Sequence, residues 1–121
     1  MQNVLTVAIG GALGAVCRYA AVAVSTRYFA APSIYAIFAV NVLGCFALGI
    51  LASSPWGRST LTVAAISVGF LGGFTTFSTF SFDTVRLLQA GATTAALLNV
   101  GASVMAGLGA VALGLRLGRL L

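Results

Sequence analysis

The sequence predicts an all-α membrane protein with four transmembrane helices, and composition and hydropathy are the observations behind this prediction. Of the 121 residues, 60% are hydrophobic and 6% are charged, and the mean hydropathy is +1.13. A soluble domain carries about 25% charged residues, so this chain has too few polar groups to cover a surface in water. Four stretches are long enough for a bilayer core that needs roughly 20 apolar residues. We therefore expect a single membrane domain over residues 1–121.

The four predicted spans cover about residues 4–28, 33–53, 59–85 and 93–117. Short turns separate them, and these turns contain Pro32, Pro55 and Gly91, residue types that favour turns. No soluble domain fits into connections of this length. A cleaved signal peptide explains the first span less well, because no basic residue precedes Val4 and the apolar run is too long.

Few residues in the chain are suited to catalysis or to metal binding. There is no His and there is one acidic residue, which largely excludes catalytic dyads and metal clusters. Cys17 and Cys45 both fall inside predicted spans, where they are typical of small packing residues rather than of a disulfide. We predict that the protein is not an enzyme. The formal charge of +5 comes from scattered arginines, so nucleic acid is not an expected partner.

The arginines at the span ends are divided almost equally between the two sides of the predicted bundle. Arg58, Arg116 and Arg119 lie on one side, and Arg27 and Arg86 lie on the other. At these positions their side chains can reach lipid headgroups. Orientation normally follows an excess of Lys and Arg in cytoplasmic loops, and this chain has hardly any excess. We hypothesise that it inserts in both orientations, which would permit an antiparallel homodimer.

Polar residues also occur well inside every predicted span. Arg18 lies deep in the first span, where an Arg costs about 2.5 kcal/mol even on the mildest scale, so it is expected to face protein, water or a partner rather than lipid. It either snorkels, lines an inner vestibule or binds the helix break. Asn41 in the second span is either an interhelical contact or an amide donor to an anion. Asn99 and Ser103 share one face of the fourth span. Together with the polar stretch 72–79 of the third span, they indicate a polar path through the membrane.

Small residues on the remaining faces favour close helix packing. Gly10 and Gly14 form a GxxxG pair. In the fourth span a small residue recurs at every fourth position, at Ala102, Ala106, Ala110, Gly114 and Gly118. Four tightly packed helices in 12.2 kDa leave little room for a private aqueous pore, so a homo-oligomer with an isologous interface is expected.

The third span contains GFLGGFTTFSTFSFD, residues 69–83, in place of a plain apolar helix. Gly72 and Gly73 weaken a helix, and the Thr and Ser hydroxyls that follow can satisfy backbone groups freed by a break. Carbonyls released at a break are potential cation ligands. The segment therefore predicts a third helix that is broken at mid-membrane.

The phenylalanines of this segment have two interpretations. Phe74, Phe77 and Phe80 are three residues apart, which predicts a stripe on one helical face. Such a stripe is usually packing or lipid-facing material. Aromatic rings also have positive edges, which beside hydroxyl and amide donors would form a site for a small hard anion.

Three motifs match a known family. They are GGALGAVCRY at residues 10–19, VNVLGCFALG at 40–49 and GFLGGFTTFSTF at 69–80. Through these motifs the chain resembles the Fluc/CrcB family of bacterial fluoride channels over essentially its full length. The resemblance implies a passive, fluoride-selective channel of the inner membrane, which exports fluoride and reduces its toxicity in the cytoplasm.

The resemblance also implies an arrangement of the channel. It is a dual-topology antiparallel homodimer with two parallel fluoride pathways, and a structural Na⁺ on the dimer axis is held by the backbone carbonyls of Gly72 and Thr75. Arg18 would line the wide vestibule. The residues implied to line each pathway are Asn41, Phe77, Phe80, Ser78, Thr79, Asn99 and Ser103.

Two other functions are compatible with four short-linked spans. A proton-coupled exporter resembling the small multidrug resistance transporters needs an acidic residue deep in the membrane, and the one acid here, Asp83, lies near the end of the third span. A non-transporting membrane scaffold would have no use for a broken, hydroxyl-rich helix. The residues therefore disfavour both alternatives, and the resemblance implies the fluoride channel.

Overall fold

The computed structural model describes residues 2–30 and 32–121, and this part of the chain consists of helices and the turns between them. Ala31, in the predicted first turn, lies outside the described residues. A short 3₁₀ turn, Pro55–Arg58, precedes the third helix. The helices are α1 (Gln2–Phe29), α2 (Ser33–Ser53), α3 (residues 60–74), α4 (Phe77–Gln89) and α5 (Thr93–Gly118).

Four segments of the described chain are long and apolar enough to cross a membrane. This confirms the prediction of an all-helical architecture with four candidate spans, whereas the exact limits of each span in the bilayer stay a prediction. Large apolar side chains cover the outside of the helices; Leu13 is 56% exposed and Leu97 is 67% exposed. Exposure of such an apolar surface to water is unfavourable, whereas its contact with lipid is favourable. The segments are Asn3–Phe29, Ser33–Ser53, Thr60–Gln89 and Thr93–Gly118.

Two parallel helix pairs, α1 with α3 and α2 with α5, pack through glycines. A Cβ atom added at Gly14 would collide with the carbonyl oxygen of Phe70 in α3. In the second pair, a Cβ atom at Gly114 would collide with the backbone of Phe46 in α2. Backbones can approach this closely only where no side chain intervenes. The predicted packing role of the small residues is therefore confirmed at these positions.

Most of α3 is wound more widely than an α-helix. Its first turn, Thr60–Thr62, is capped by Ser59, whose side chain accepts a hydrogen bond from the Thr62 N–H at 3.3 Å. The stretch Val63–Leu71 is π-helical, and Gly72–Phe74 returns to α-helical geometry. π-Helical geometry is rare and occurs mostly as single turns within α-helices, frequently at functional sites. The hydropathy pattern does not distinguish this winding from an ordinary helix.

A Schellman motif at the end of α4 turns the chain into α5. Gly91 has a φ of +74°, a conformation that glycine adopts without a steric penalty. The Ala92 N–H donates to the Leu87 carbonyl at 2.9 Å, and the Gly91 N–H donates to the Leu88 carbonyl at 3.0 Å. The tight turn sets α4 beside α5, so polar residues on the two helices can meet.

Candidate functional site

Two residues with extended backbone separate α3 from α4. Thr75 has φ −81° and ψ 158°, and Thr76 has φ −152° and ψ 120°. The break was predicted for the segment that begins at Gly72, and Gly72 itself is helical with φ −62° and ψ −36°. Gly73 instead allows close approach, since a Cβ atom there would collide with the backbone of Gly11 in α1. The threonines therefore carry the change of conformation.

Hydroxyl groups bind the backbone on both sides of this interruption. The Thr75 hydroxyl donates to the Leu71 carbonyl at 2.9 Å, and the Thr76 hydroxyl oxygen accepts from the Thr79 N–H at 3.3 Å. Thr76 is thus the N-cap of α4. This confirms that hydroxyls satisfy backbone groups near the interruption.

The side chains of this segment also bind one another. The Thr76 hydroxyl donates to the Thr79 hydroxyl oxygen at 3.2 Å, and it lies 3.1 Å from the Ser78 hydroxyl. A hydroxyl has a single proton. Since Thr79 accepts from Thr76, the proton of Thr79 stays available to a further acceptor.

Asn41 of α2 holds Thr76 at both of its backbone polar groups. The Asn41 Nδ2 donates to the Thr76 carbonyl at 3.1 Å, and the Thr76 N–H donates to Asn41 Oδ1 at 2.8 Å. This confirms the interhelical contact that was one interpretation of Asn41. Its Nδ2 carries a second N–H, so the amide can also donate to an anion.

An open groove of about 340 Å³ lies beside Asn41. It brings the predicted residues Asn41, Gly72, Thr75 and Phe77 to one surface. Ser67 and Gly44 also line it and were not among the predicted site residues. Gly44 leaves space for Thr75, because a Cβ atom at Gly44 would collide with the Thr75 methyl group. The full lining is Asn41, Gly44, Cys45, Leu48, Ser67, Leu71, Gly72, Thr75, Thr76 and Phe77.

Arg18 of α1 points to the end of α3. Its Nε donates to the Gly73 carbonyl at 3.1 Å, in a part-buried position. The carbonyls at a helix C-terminus lack partners within the helix and attract positive charge. The expectation that Arg18 faces protein, water or a partner rather than lipid is met by this contact.

The aromatic rings divide into two pairs, one on each side of the interruption. Phe77 and Phe80 of α4 have ring centroids 5.6 Å apart and an interplanar angle of 40°. Phe74 stacks on Phe70 at 5.6 Å and 16°, so it belongs to α3. The prediction of one stripe of three rings was wrong, because the extended residues end the helical periodicity. Phe77 is 79% exposed in the single chain.

Asn99 of α5 meets α4 away from the interruption. Its Nδ2 donates to the Thr84 hydroxyl oxygen at 2.9 Å, and the Thr84 hydroxyl donates to the Phe80 carbonyl at 2.8 Å. Thr84 was not predicted as a site residue, although its spacing of four residues from Phe80 is a signal for such a backbone bond. Ser103 is half-buried and makes no side-chain hydrogen bond within the described part of the chain.

The thiols and the carboxylate contribute no recognisable metal centre. Cys17 is exposed, Cys45 is half-buried, and both thiols are free. Over residues 2–30 and 32–121, no three His, Cys, Asp or Glu side chains are grouped to hold a metal ion. In the same ranges, Asp83 Oδ2 is a buried oxygen without a hydrogen-bond partner.

Most of the sequence matches a known family. The family described as "CrcB-like protein, Camphor Resistance (CrcB)" matches residues 5–115. This chain belongs to the CrcB family. The resemblance inferred from its three motifs is thereby confirmed, and with the four apolar helices it makes the chain a multi-pass membrane protein.

Several curated CrcB-family relatives carry the name fluoride-specific ion channel FluC. The protein from Citrifermentans bemidjiense is 39% identical over 124 residues, which covers 100% of both chains. The protein from Hydrogenovibrio crunogenus is 42% identical over 97% of this chain and 91% of the relative. A relative named FluC 2, from Rhodococcus jostii, is 45% identical over 96% of this chain and 98% of the relative.

Proposed function

We infer that this protein is a passive fluoride-specific ion channel, which exports fluoride across the bacterial inner membrane and lowers its toxicity in the cytoplasm. The observation that carries this inference is the full-length similarity to relatives named fluoride-specific ion channels. A conducted ion undergoes no chemical change, so the protein is not an enzyme in this function. The family assignment does not favour a proton-coupled drug exporter or a scaffold.

The chemistry of the site agrees with fluoride as the ion. Fluoride is a small, strongly hydrated acceptor, so donors must replace its water. The second N–H of Asn41 and the hydroxyl proton of Thr79 are such donors, and the rings of Phe77 and Phe80 present positive edges. Conduction requires several weak sites rather than one strong one. We propose a pathway lined by Asn41, Phe77, Phe80, Ser78, Thr79, Asn99 and Ser103.

Fluoride efflux from proteoliposomes tests this function. The purified protein is reconstituted in vesicles loaded with potassium fluoride, and valinomycin is added so that potassium can leave with the anion. We expect rapid loss of fluoride and no comparable loss of chloride from matched vesicles. Equal chloride loss would exclude fluoride selectivity, and absence of fluoride flux would exclude the channel itself.

Replacement of Phe80 by Ile is expected to lower fluoride flux about tenfold, which corresponds to about 1.4 kcal/mol of added barrier. Isoleucine keeps apolar bulk but has no positive ring edge for the anion. Phe82→Ile is the matched control, because Phe82 lies on the same helix, is 62% exposed and has Arg86 over its ring. Flux in Phe80→Ile vesicles equal to wild type would assign Phe80 to packing.

We also propose that Arg18 lines a vestibule and attracts fluoride. One of its five N–H donors binds the Gly73 carbonyl, which leaves the positive charge and the other donors for an anion. Arg18→Gln is expected to lower flux about tenfold at low salt and less at high salt, since ions screen the attraction. Arg27→Gln, at an exposed span end, is the control. A loss independent of salt would indicate a structural role instead.

We propose that two copies pair in opposite orientations, with the third span of each interrupted at mid-membrane. The exposed Phe77 ring and the open groove beside Asn41 leave the pathway of a single chain without a wall on one side. The near-equal arginine distribution supports insertion both ways. Reporter fusions at the C-terminus should therefore detect both orientations, and a single orientation would contradict dual topology.

We further propose a structural Na⁺ on the axis of this dimer, held by the carbonyls of Gly72 and Thr75. The residues fit such an ion. In a continuous helix the Thr76 N–H would bind the Gly72 carbonyl, but here it donates to Asn41. Backbone carbonyls freed in this way suit a hard cation, and bound Na⁺ would join the two chains at this point. Native mass spectrometry should find two chains with one sodium; a sodium-free dimer would contradict the ion.

A further inference from the structure

Thr84 connects Asn99 of α5 to the backbone of α4. Its hydroxyl oxygen accepts from Asn99 Nδ2 at 2.9 Å, and its hydroxyl proton is donated to the Phe80 carbonyl at 2.8 Å. Both bonds lie in part-buried positions, where competition from water is weak. A relay of two hydrogen bonds thus runs from Asn99 through Thr84 to Phe80.

The single proton of the Thr84 hydroxyl determines which group donates and which accepts in these two hydrogen bonds. A threonine hydroxyl has one proton and an oxygen that accepts. Because the proton is used at the Phe80 carbonyl, Thr84 can only accept from its second partner. Asn99 must therefore turn its NH₂ end, and not its carbonyl oxygen, toward α4.

This orientation matters to an anion. The NH₂ end of Asn99 has a second N–H beyond the one bound to Thr84. Thr84 is four residues from Phe80 and therefore lies on the same face of α4. The amide oxygen has the opposite polarity and would repel fluoride at that place. Rotation of the amide by 180° would consequently convert an attractive group into a repulsive one.

We propose that Thr84 is a positioning residue of the fluoride pathway, which holds the Asn99 amide with its N–H donors toward the anion. This inference rests on the proposed function, and it adds to that function a residue with no direct contact to the ion. Thr84 cannot itself donate to fluoride, since its proton is committed to Phe80.

Fluoride flux through three single variants tests the proposal. Thr84→Val keeps the shape of the side chain and removes the hydroxyl, and it is expected to lower flux about threefold to tenfold, the range for one lost hydrogen bond. Thr84→Ser restores the hydroxyl and should recover most of the flux. Ser81→Ala is the matched control, because the Ser81 hydroxyl also donates to a carbonyl four residues earlier, at 2.9 Å, but is exposed. Its flux should equal that of wild type.

A double mutant separates positioning from a purely structural role. In an Asn99→Ala background there is no amide to orient, so Thr84→Val should cause no further loss. Wild-type flux in Thr84→Val, or the same fold loss in both backgrounds, would overturn the proposal. Thr84→Ala, which creates space instead of adding a methyl group, replaces the valine variant if that variant elutes as an aggregate. Absence of flux in the wild-type protein would instead overturn the channel function, and this inference with it.

Discussion

Fluoride flux is expected to fall about a thousandfold in Asn41→Asp, the largest loss that we predict for a single substitution. A carboxylate about 4 Å from a fluoride ion repels it by about 4 kcal/mol at an effective dielectric constant of 20. The change also removes both N–H donors of the side chain. One of these binds the Thr76 carbonyl at 3.1 Å, so a carboxylate oxygen would face a carbonyl oxygen there.

The measurement is fluoride efflux from vesicles that contain equal amounts of correctly assembled protein, as judged by size-exclusion chromatography. Asn3→Asp makes the same chemical change at an exposed position near the start of α1, and its flux should match that of wild type. Unchanged flux in Asn41→Asp would place Asn41 outside the pathway and leave it only the contact with Thr76.

The helices could be predicted from the sequence because hydropathy reports directly on burial in lipid. Long apolar runs with turn residues between them have few alternatives once water is excluded. The π-helical stretch Val63–Leu71 could not be predicted. Its side chains have the same hydropathy in either winding, so the difference lies in backbone geometry, in a stretch that packs closely against α1.

The position of the interruption between α3 and α4 also depends on contacts that the local sequence does not reveal. Gly72 and Gly73 were expected to weaken α3, because glycine lowers helix stability. In the structure, position 73 requires a glycine because its backbone lies in close contact with Gly11, and not because the helix breaks there. The extended conformation occurs at Thr75 and Thr76, and Asn41 of another span binds the backbone N–H and carbonyl of Thr76. Helix propensity depends on the local sequence, so it does not account for a hydrogen-bond partner that is distant in the chain.

The candidate site was predictable in its residue types but not in its pairings. The sequence identified Asn41 and Asn99 as polar residues inside spans, and amides at such positions need partners. It could not tell that Asn41 binds backbone while Asn99 binds a hydroxyl. Thr84 escaped notice because a Thr in a helix usually bonds to its own backbone, and only the contact with α5 distinguishes it.

Replacement of Gly14 by Ala is expected to destabilise the folded protein by about 1–3 kcal/mol, the range for adding a group to a packed interior. The new methyl group would collide with the carbonyl oxygen of Phe70 and would lie close to the Phe74 backbone. Both are backbone groups, so no side-chain rotation can relieve the overlap. Helix α1 would have to move away from the end of α3. This end directly precedes Thr75 and Thr76, and Thr76 binds Asn41.

Thermal unfolding of the purified protein in detergent measures this effect. Gly11→Ala is the matched control in the same helix, because its methyl group would lie 3.8 Å from the Gly69 carbonyl oxygen, an ordinary contact. The greater helix propensity of Ala, by up to about 1 kcal/mol, should leave this control as stable as wild type or slightly more stable. Equal melting temperatures for the two variants would show that the close approach of α1 and α3 at Gly14 is not required for stability. The hydrogen bond from Arg18 to the Gly73 carbonyl would then not depend on this packing.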